Sequence, residues 1–407
     1  MVMSGIPDDL APKSDPSGEG DVDSESEADA LWPEEPEEGA EGLRAGEGEA
    51  VKEEEDVLHA YWLAGESCDG CSVAALSATE PGLEHLLRGD IPNLPRIELH
   101  HPVLSVEWGD EYVKEFEAAV NGERDPYVVI VEGSVPNERL IDGDGYWISL
   151  GEEEGEPIKM VDWLDRLAPG AAAVIAIGTC ATWGGIPAAK GNATDAMGTM
   201  DYLGRDYRSV LGLPVVNVPG CAPIGDNFIE TVAHLLFYVE DIGPLPELDE
   251  LGRPKWLFGE TVHRNCERGS YYEEGDFAEE YGSEKCLVEV PGCWGPVVKC
   301  NMPSRRNSGG IGGCMNMGGK CIGCTMPGFP DKFTPYFKAP PGSMISSTGS
   351  KILGGVMRRL RQRTIKKTDR EVRWDESPGV EERVYRWWHM RDSNYAEEEQ
   401  PEPTWGG

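Results

Sequence analysis

Eleven cysteines constrain this chain more than any other feature. They stand at Cys68, Cys71, Cys180, Cys221, Cys266, Cys286, Cys293, Cys300, Cys314, Cys321 and Cys324. The number is odd, and a sealed disulfide framework uses cysteines in pairs. The amino terminus, MVMSGIPDDLAPKSDP, has no basic segment leading into an apolar one and no twin arginine, which predicts a protein that is not exported. The expected compartment is the cytoplasm, where thiols stay reduced and cysteine clusters bind metal or do redox chemistry. The longest uncharged run, LAPGAAAVIAIGTCATWGGIPAA, is broken by Pro169, Pro187 and four glycines. A short buried strand followed by a loop explains it better than a membrane helix, so no transmembrane anchor is expected.

Charge narrows the partners. Asp and Glu number 74 against 36 Lys and Arg, a formal net charge of −38. A field that negative repels phosphate backbones and anionic lipid, which argues against nucleic-acid binding and a membrane-surface role. Residues 1–56 hold 20 acidic residues against Lys13, Arg44 and Lys52, with few aromatics. They cannot bury enough surface to offset ordering entropy and are predicted to be a disordered acidic tail. The rest of the chain is acidic too, which fits a solvated, salt-adapted surface.

From His59 the pattern changes. HAYWLAG, RIELHHPV, YVVIVEG, AAAVIAIG and LPVVNVPG read as buried strands. Between them, DEYVKEFEAAVNG, IKMVDWLDRLAPG and DNFIETVAHLLFYV carry apolar residues at helical spacing. The alternation predicts an α/β fold, a doubly wound parallel sheet with helices on both faces. Ligands in such folds sit beyond the carboxyl ends of the strands. From about Pro244 to Pro340 the periodicity fades into Gly, Pro, Asn and Cys, and a segment of that kind needs cross-links or metal clusters to fold. A basic stretch of helical spacing, KILGGVMRRLRQRTIKKTDREVRW, follows. The expected division is a tail at 1–56, a sheet domain at 57–243, a cysteine-rich domain at 244–340 and an extension at 341–407.

Cys68 and Cys71 follow the first strand, Cys180 the AAAVIAIG strand and Cys221 the LPVVNVPG strand. Three strand ends of one parallel sheet converge four thiolates on one point, which suits a 4Fe–4S cluster. A tetrahedral zinc site with four thiolate ligands is the alternative. The second domain holds seven cysteines, one short of two four-ligand sites, and His263, which opens His263-x-x-Cys266, supplies the eighth donor. Twelve donors fill three clusters with no thiol left over. Several clusters in one chain point to electron transport, a purpose that zinc would not serve.

ESCDGCS, VEGSVP, GTCATWGGIPAAKGN, VPGCAPIGDNF, VHRNC and CWGPVVKC through CIGC occur in this order over about residues 58–337. Together they resemble the small subunit of nickel–iron hydrogenases. The resemblance implies a flavodoxin-like domain with a proximal 4Fe–4S cluster on Cys68, Cys71, Cys180 and Cys221. It implies a distal 4Fe–4S cluster on His263, Cys266, Cys286 and Cys293, and a medial cluster on Cys300, Cys321 and Cys324. No catalytic residue is expected in this chain, because the Ni–Fe centre of this family belongs to a separate large subunit. The expected activity is H2 ⇌ 2H⁺ + 2e⁻ in a heterodimer with that subunit, electrons passing to an external acceptor that the sequence does not identify.

Several positions depart from the family pattern. Many members carry Pro in place of a fourth medial cysteine and hold 3Fe–4S; here Cys314, seven residues before Cys321, is expected to complete 4Fe–4S. The two extra proximal cysteines of oxygen-tolerant members correspond to Gly70 and Gly185. Ala222 stands where the family usually has Pro, and Asp69 places a carboxylate inside the Cys-x-x-Cys. With signal peptide and membrane helix both missing, the pattern resembles the soluble, actinobacterial-type hydrogenases. The rival readings are the iron–sulfur subunit of a related quinone oxidoreductase, which accounts for the first domain only, and a structural zinc-binding interaction protein.

Overall fold

The computed structural model describes residues 57–79, 81–141, 145–289, 292–334 and 336. The expected acidic tail and C-terminal extension, with its basic helix, lie outside the described residues. Five strands form one parallel sheet: β1 (Val57–Ala64), β2 (Arg96–His100), β3 (Tyr127–Glu132), β6 (Ala173–Ile177) and β7 (Val216–Val218), in the order β2-β1-β3-β6-β7. Between β3 and β6 a separate antiparallel hairpin, β4 (Ser149–Glu153) and β5 (Glu156–Lys159), turns at Glu154 and Gly155, both at positive φ. Without the hairpin, the order is that of flavodoxin, a doubly wound sheet whose order reverses beside the first strand.

The central strands β3 and β6 are apolar on both faces, as burial under two helical layers requires, whereas edge strand β2 carries the partly exposed Arg96 and Glu98. Leu58, Ala60 and Trp62 of β1 join Val128, Ile130 and Ile175 in one core. There they meet Phe228, Ile229, Val232 and Leu236 of α7 (Gly225–Val239). Tyr61 and Leu63 join Val129, Val131 and Val174 in the other core, under α3 (Asp110–Val120) and α4 (Met160–Leu167). The three helices expected from periodicity are α3, α4 and α7. Four shorter ones, α1 (Gly70–Leu76), α2 (Leu83–Arg88), α5 (Gly178–Trp183) and α6 (Thr199–Leu203), complete the layers.

Beyond Pro244 the chain forms no strand among the described residues. Short helices α8 (Lys255–Phe258), α9 (Gly269–Glu274) and α10 (Met302–Arg305) alternate with loops. The fading periodicity reads as a segment with no hydrophobic core of its own, and the structure corrects that reading. Val262, Trp294, Val297, Val298, Met315, Met326, Phe329 and Phe333 pack together with Cys300 and Cys321. The core is small and its residues lie far apart in sequence, so no periodicity announces it. Thr179 donates to the Cys324 carbonyl, Trp183 Nε1 to the Thr325 carbonyl at 3.3 Å, and Asn227 and Asn301 exchange amide bonds at 2.8 and 2.9 Å. These bonds tie the cysteine-rich region to the strand ends.

A polar cluster lies under α3, away from the cysteines. His59 and His100 share a hydrogen bond of 2.9 Å with rings 9° from coplanar, and Glu115 accepts both Nε (2.8 Å) and Nη2 (3.2 Å) of Arg124. The imidazoles bond each other and the carboxylate is taken by Arg124, so the three side chains form a bonded network with that arginine. Burial lowers the pKa of both histidines, and His100 lowers that of His59 further; Glu98 and Glu115 oppose this at both and Glu107 at His100, without overcoming it. A folded-state pKa below the unfolded value of about 6.5 means that the unfolded chain takes up the proton first. The stability contributed by the neutral pair is therefore present above that pH and is lost as pH falls through it. Urea midpoints compared at about pH 7.5 and about pH 5.5 should fall on acidification, and His100→Phe should shrink that fall. An identical fall in the variant would show that the pair is not the sensor.

Candidate metal centres

The carboxyl edge of the sheet gathers the first four cysteines. Cys68 lies in the turn after β1, Cys71 in the first turn of α1, Cys180 in α5 directly after β6, and Cys221 in the loop after β7. Their thiols are close enough to act on one another. The Cys71 thiol is pushed far up by burial first, then by Glu132, Cys180, Cys68 and Cys221. Burial takes Cys180 to about 11 and also raises Cys221. Thiolates so placed repel one another and lack solvent, and a group of iron cations supplies the missing positive charge. The chemistry of the donor set therefore fits a cluster.

Glycine clears the space around these sulfurs. A Cβ on Gly178, at φ +84, would collide with Cys71 Sγ. One on Gly185, at φ +55, would lie 2.7 Å from Cys180 Sγ, and one on Gly70 would lie 3.2 Å from Cys68 Sγ. Gly70 and Gly185 thus lie against the thiols of Cys68 and Cys180. Asp69 is exposed, at φ 57, ahead of α1. The Cys221–Ala222 peptide is cis.

Sequence reasoning missed Glu132. It ends β3 only 1% exposed, and its carboxylate accepts from Cys71 N (3.0 Å), Ser72 N (3.3 Å), Trp62 Nε1 (3.1 Å) and Ser72 Oγ. Ser72 Oγ also lies 2.9 Å from His101 Nε2. One buried acid therefore orients the turn that carries Cys71. The signal was a Glu closing an otherwise unbroken apolar strand, YVVIVE, where an acid is costly unless fully bonded.

Cys300, Cys314, Cys321 and Cys324 line a second site, a cavity of about 470 Å³ whose other walls include Gly220, Ala222 and Pro223 beside Cys221. Burial raises the Cys300 thiol to about 12, with Cys314 adding to the rise. Burial also raises Cys324, with smaller contributions from Cys300, Cys314 and Cys221. Arg253, 2% exposed and paired with Asp249 at 2.8 Å, is the cation beside this group. His263, Cys266, Cys286 and Cys293 line the third site, a cavity of about 320 Å³. Burial raises Cys286 to about 12, with Cys293 and Cys266 adding and Arg268 opposing. The second and third cavities share Val262 and Met315 as walls. Cys293 Sγ accepts from Cys321 N at 3.3 Å, so a donor of one site touches the backbone of the next. The structure thus places the first four cysteines at the carboxyl edge of the sheet, Cys300, Cys314, Cys321 and Cys324 on one cavity, and His263, Cys266, Cys286 and Cys293 on another.

Comparison with known proteins follows the same division. Residues 68–235 match the family described as NADH ubiquinone oxidoreductase, 20 Kd subunit, and residues 258–337 match the C-terminal family of the NiFe/NiFeSe hydrogenase small subunit. The periplasmic [NiFeSe] hydrogenase small subunit of Desulfomicrobium baculatum is 34% identical over 289 residues, covering 68% of this chain and 86% of its own. The hydrogenase-2 small chain of Escherichia coli K12 is 33% identical over 320 residues, covering 73% and 78%. The solved actinobacterial-type NiFe-hydrogenase from Ralstonia eutropha H16 superposes with a TM-score of 0.69 at 48% identity, over 79% of this chain and 93% of that one. The quinone-reductase reading accounts for the first match alone, and both halves match in the hydrogenase relatives. The chain belongs to the nickel–iron hydrogenase small-subunit family.

Proposed function

We propose that this chain carries electrons between the Ni–Fe site of a hydrogenase large subunit and an external acceptor, through three 4Fe–4S clusters. The observation that carries the reading is the row of three four-donor groups, the second sharing walls with the first and third. Bound there, each cluster supplies one-electron transfer, and this chain's residues hold the clusters, exclude water and set their potentials. Cys68, Cys71, Cys180 and Cys221 hold the proximal one, beside which Cys68 and Cys221 are exposed. Exposed apolar side chains stand on the same segments: Val73 (65%) and Leu76 on α1, and Ile186 after α5. That combination supports docking of the large subunit against this edge. Cys300, Cys314, Cys321 and Cys324 hold the medial cluster. His263, Cys266, Cys286 and Cys293 hold the distal one and face the acceptor.

The reading includes the actinobacterial-type subgroup, supported by the 48% identity, and a cytoplasmic location, supported by eleven free cysteines. No helix among the described residues is long and apolar enough to cross a membrane. The deciding measurement is metal and sulfide analysis of anaerobically purified protein. About twelve iron atoms per chain are expected, nickel only with the large subunit, and no hydrogen turnover by the chain alone. Zinc in place of iron, or stoichiometric nickel on the isolated chain with hydrogen-dependent dye reduction, would overturn the assignment.

A further inference from the structure

Arg268, two residues beyond Cys266, lines the distal cavity with His263, Cys266, Cys286 and Cys293. Its Nη1 is buried without a hydrogen-bond partner, and among the described residues no carboxylate pairs with it. The neighbouring Glu267 is engaged elsewhere, accepting from Arg306 Nη2 at 2.9 Å and Asn316 Nδ2 at 3.2 Å. Val262, Leu287, Val288, Pro296 and Met315 make the remaining walls apolar. A guanidinium is always charged, and burying its N–H without an acceptor is costly. Such a group in such a wall implies an anion inside the cavity. A cluster held by three thiolates and one neutral imidazole is that anion, and it grows more negative on reduction. A fixed positive charge at its edge therefore favours the reduced form more than the oxidised one, and low-dielectric walls strengthen the effect.

We propose that Arg268 donates a hydrogen bond from Nη1 to the sulfur shell of the distal cluster and thereby raises its reduction potential. The inference rests on the distal ligand assignment made above and adds a residue that tunes the exit site. His263 acts in the same direction, since a neutral imidazole in place of a thiolate removes one negative charge. The two side chains come from one short segment, Val262–Gly269, so a single stretch of chain sets the level at which electrons leave.

The test is a paramagnetic-resonance redox titration of the assembled heterodimer. Arg268→Met, similar in length and uncharged, should shift the distal reduction equilibrium at least tenfold toward the oxidised form, or about 59 mV for one electron. Proximal and medial midpoints should move less than twofold in equilibrium terms, and Arg268→Lys should keep most of the wild-type distal value. In wild type labelled with ¹⁵N-arginine, the reduced distal cluster should show a ¹⁵N coupling. A loaded distal cluster in Arg268→Met with an unmoved midpoint overturns the proposal. If that variant fails to load, absence of the ¹⁵N coupling in wild type overturns it instead. A wild type holding about eight iron atoms and no distal signal would sink the ligand assignment itself, an outcome distinct from an unmoved midpoint.

Discussion

Glu132→Ala should empty the proximal site while the medial and distal sites stay loaded. Iron is expected to fall from about twelve to about eight atoms per chain, and hydrogen-dependent dye reduction by the heterodimer to drop at least about 100-fold. The reason is local. The Cys71 and Ser72 amides, the Ser72 hydroxyl and the Trp62 indole all spend their donors on this one carboxylate. Each donor orphaned in a buried site costs about 1–3 kcal/mol. The turn relaxes to find other acceptors and takes Cys71 out of line with Cys68, Cys180 and Cys221. A Tm lower by at least about 5 °C should accompany the loss. Glu132→Gln keeps one acceptor oxygen and should be milder on both counts. Wild-type iron content and Tm in Glu132→Ala would show that the acid is dispensable to the site.

The second large effect concerns the medial centre. Cys314→Pro should remove one ligand and one iron, converting that centre to 3Fe–4S with a raised potential. Cys314 opens onto the same cavity as Cys300, Cys321 and Cys324, and it lies close enough to raise the Cys300 and Cys324 thiols. Its own loop, Ile311–Met317, is exposed at both ends, so packing gives the cysteine no other employment. The measurement is the paramagnetic resonance of the oxidised protein, where the three-iron signal should appear in the variant and be absent from wild type. One spin per protein of that signal in undamaged wild type would contradict Cys314 as a ligand.

The sequence was most informative where a single local rule decides the outcome. Strands β1, β2, β3, β6 and β7 are apolar runs ended by Gly or Pro or their neighbours, and parallel order follows from the helices between them. Cysteines placed after strand ends then had to meet, because the ends of a parallel sheet share an edge. The β4–β5 hairpin escaped because Ser149–Glu153 and Glu156–Lys159 are too acidic for a strand pattern, although Glu154-Gly155 has the positive φ values that a tight hairpin turn demands. Glu132 escaped because its donors, two backbone amides with the Ser72 hydroxyl and the Trp62 indole, come from other elements, a meeting that residue types do not reveal. The core around Trp294 and Phe333 escaped for a related reason. Its members come from loops, with no period to read.

The unequal exposure of the cysteines carries a consequence for the order in which the protein is built. Cys300, Cys321 and Cys286 are at most 8% exposed, whereas Cys68, Cys221 and Cys314 stand at the surface. On the proposed assignment, Cys300, Cys321 and Cys286 are reached more easily by iron before the Trp294–Phe333 core closes than after it, while the exposed Cys314 leaves the medial site a way in from solvent. On the same assignment, the site of Cys68 and Cys221 can be filled on an already folded subunit, before a large subunit covers that edge. A large subunit docked on that edge would act as a seal as well as a catalyst. Until that sealing, the thiols of Cys68 and Cys221 stand open to solvent, and so to air.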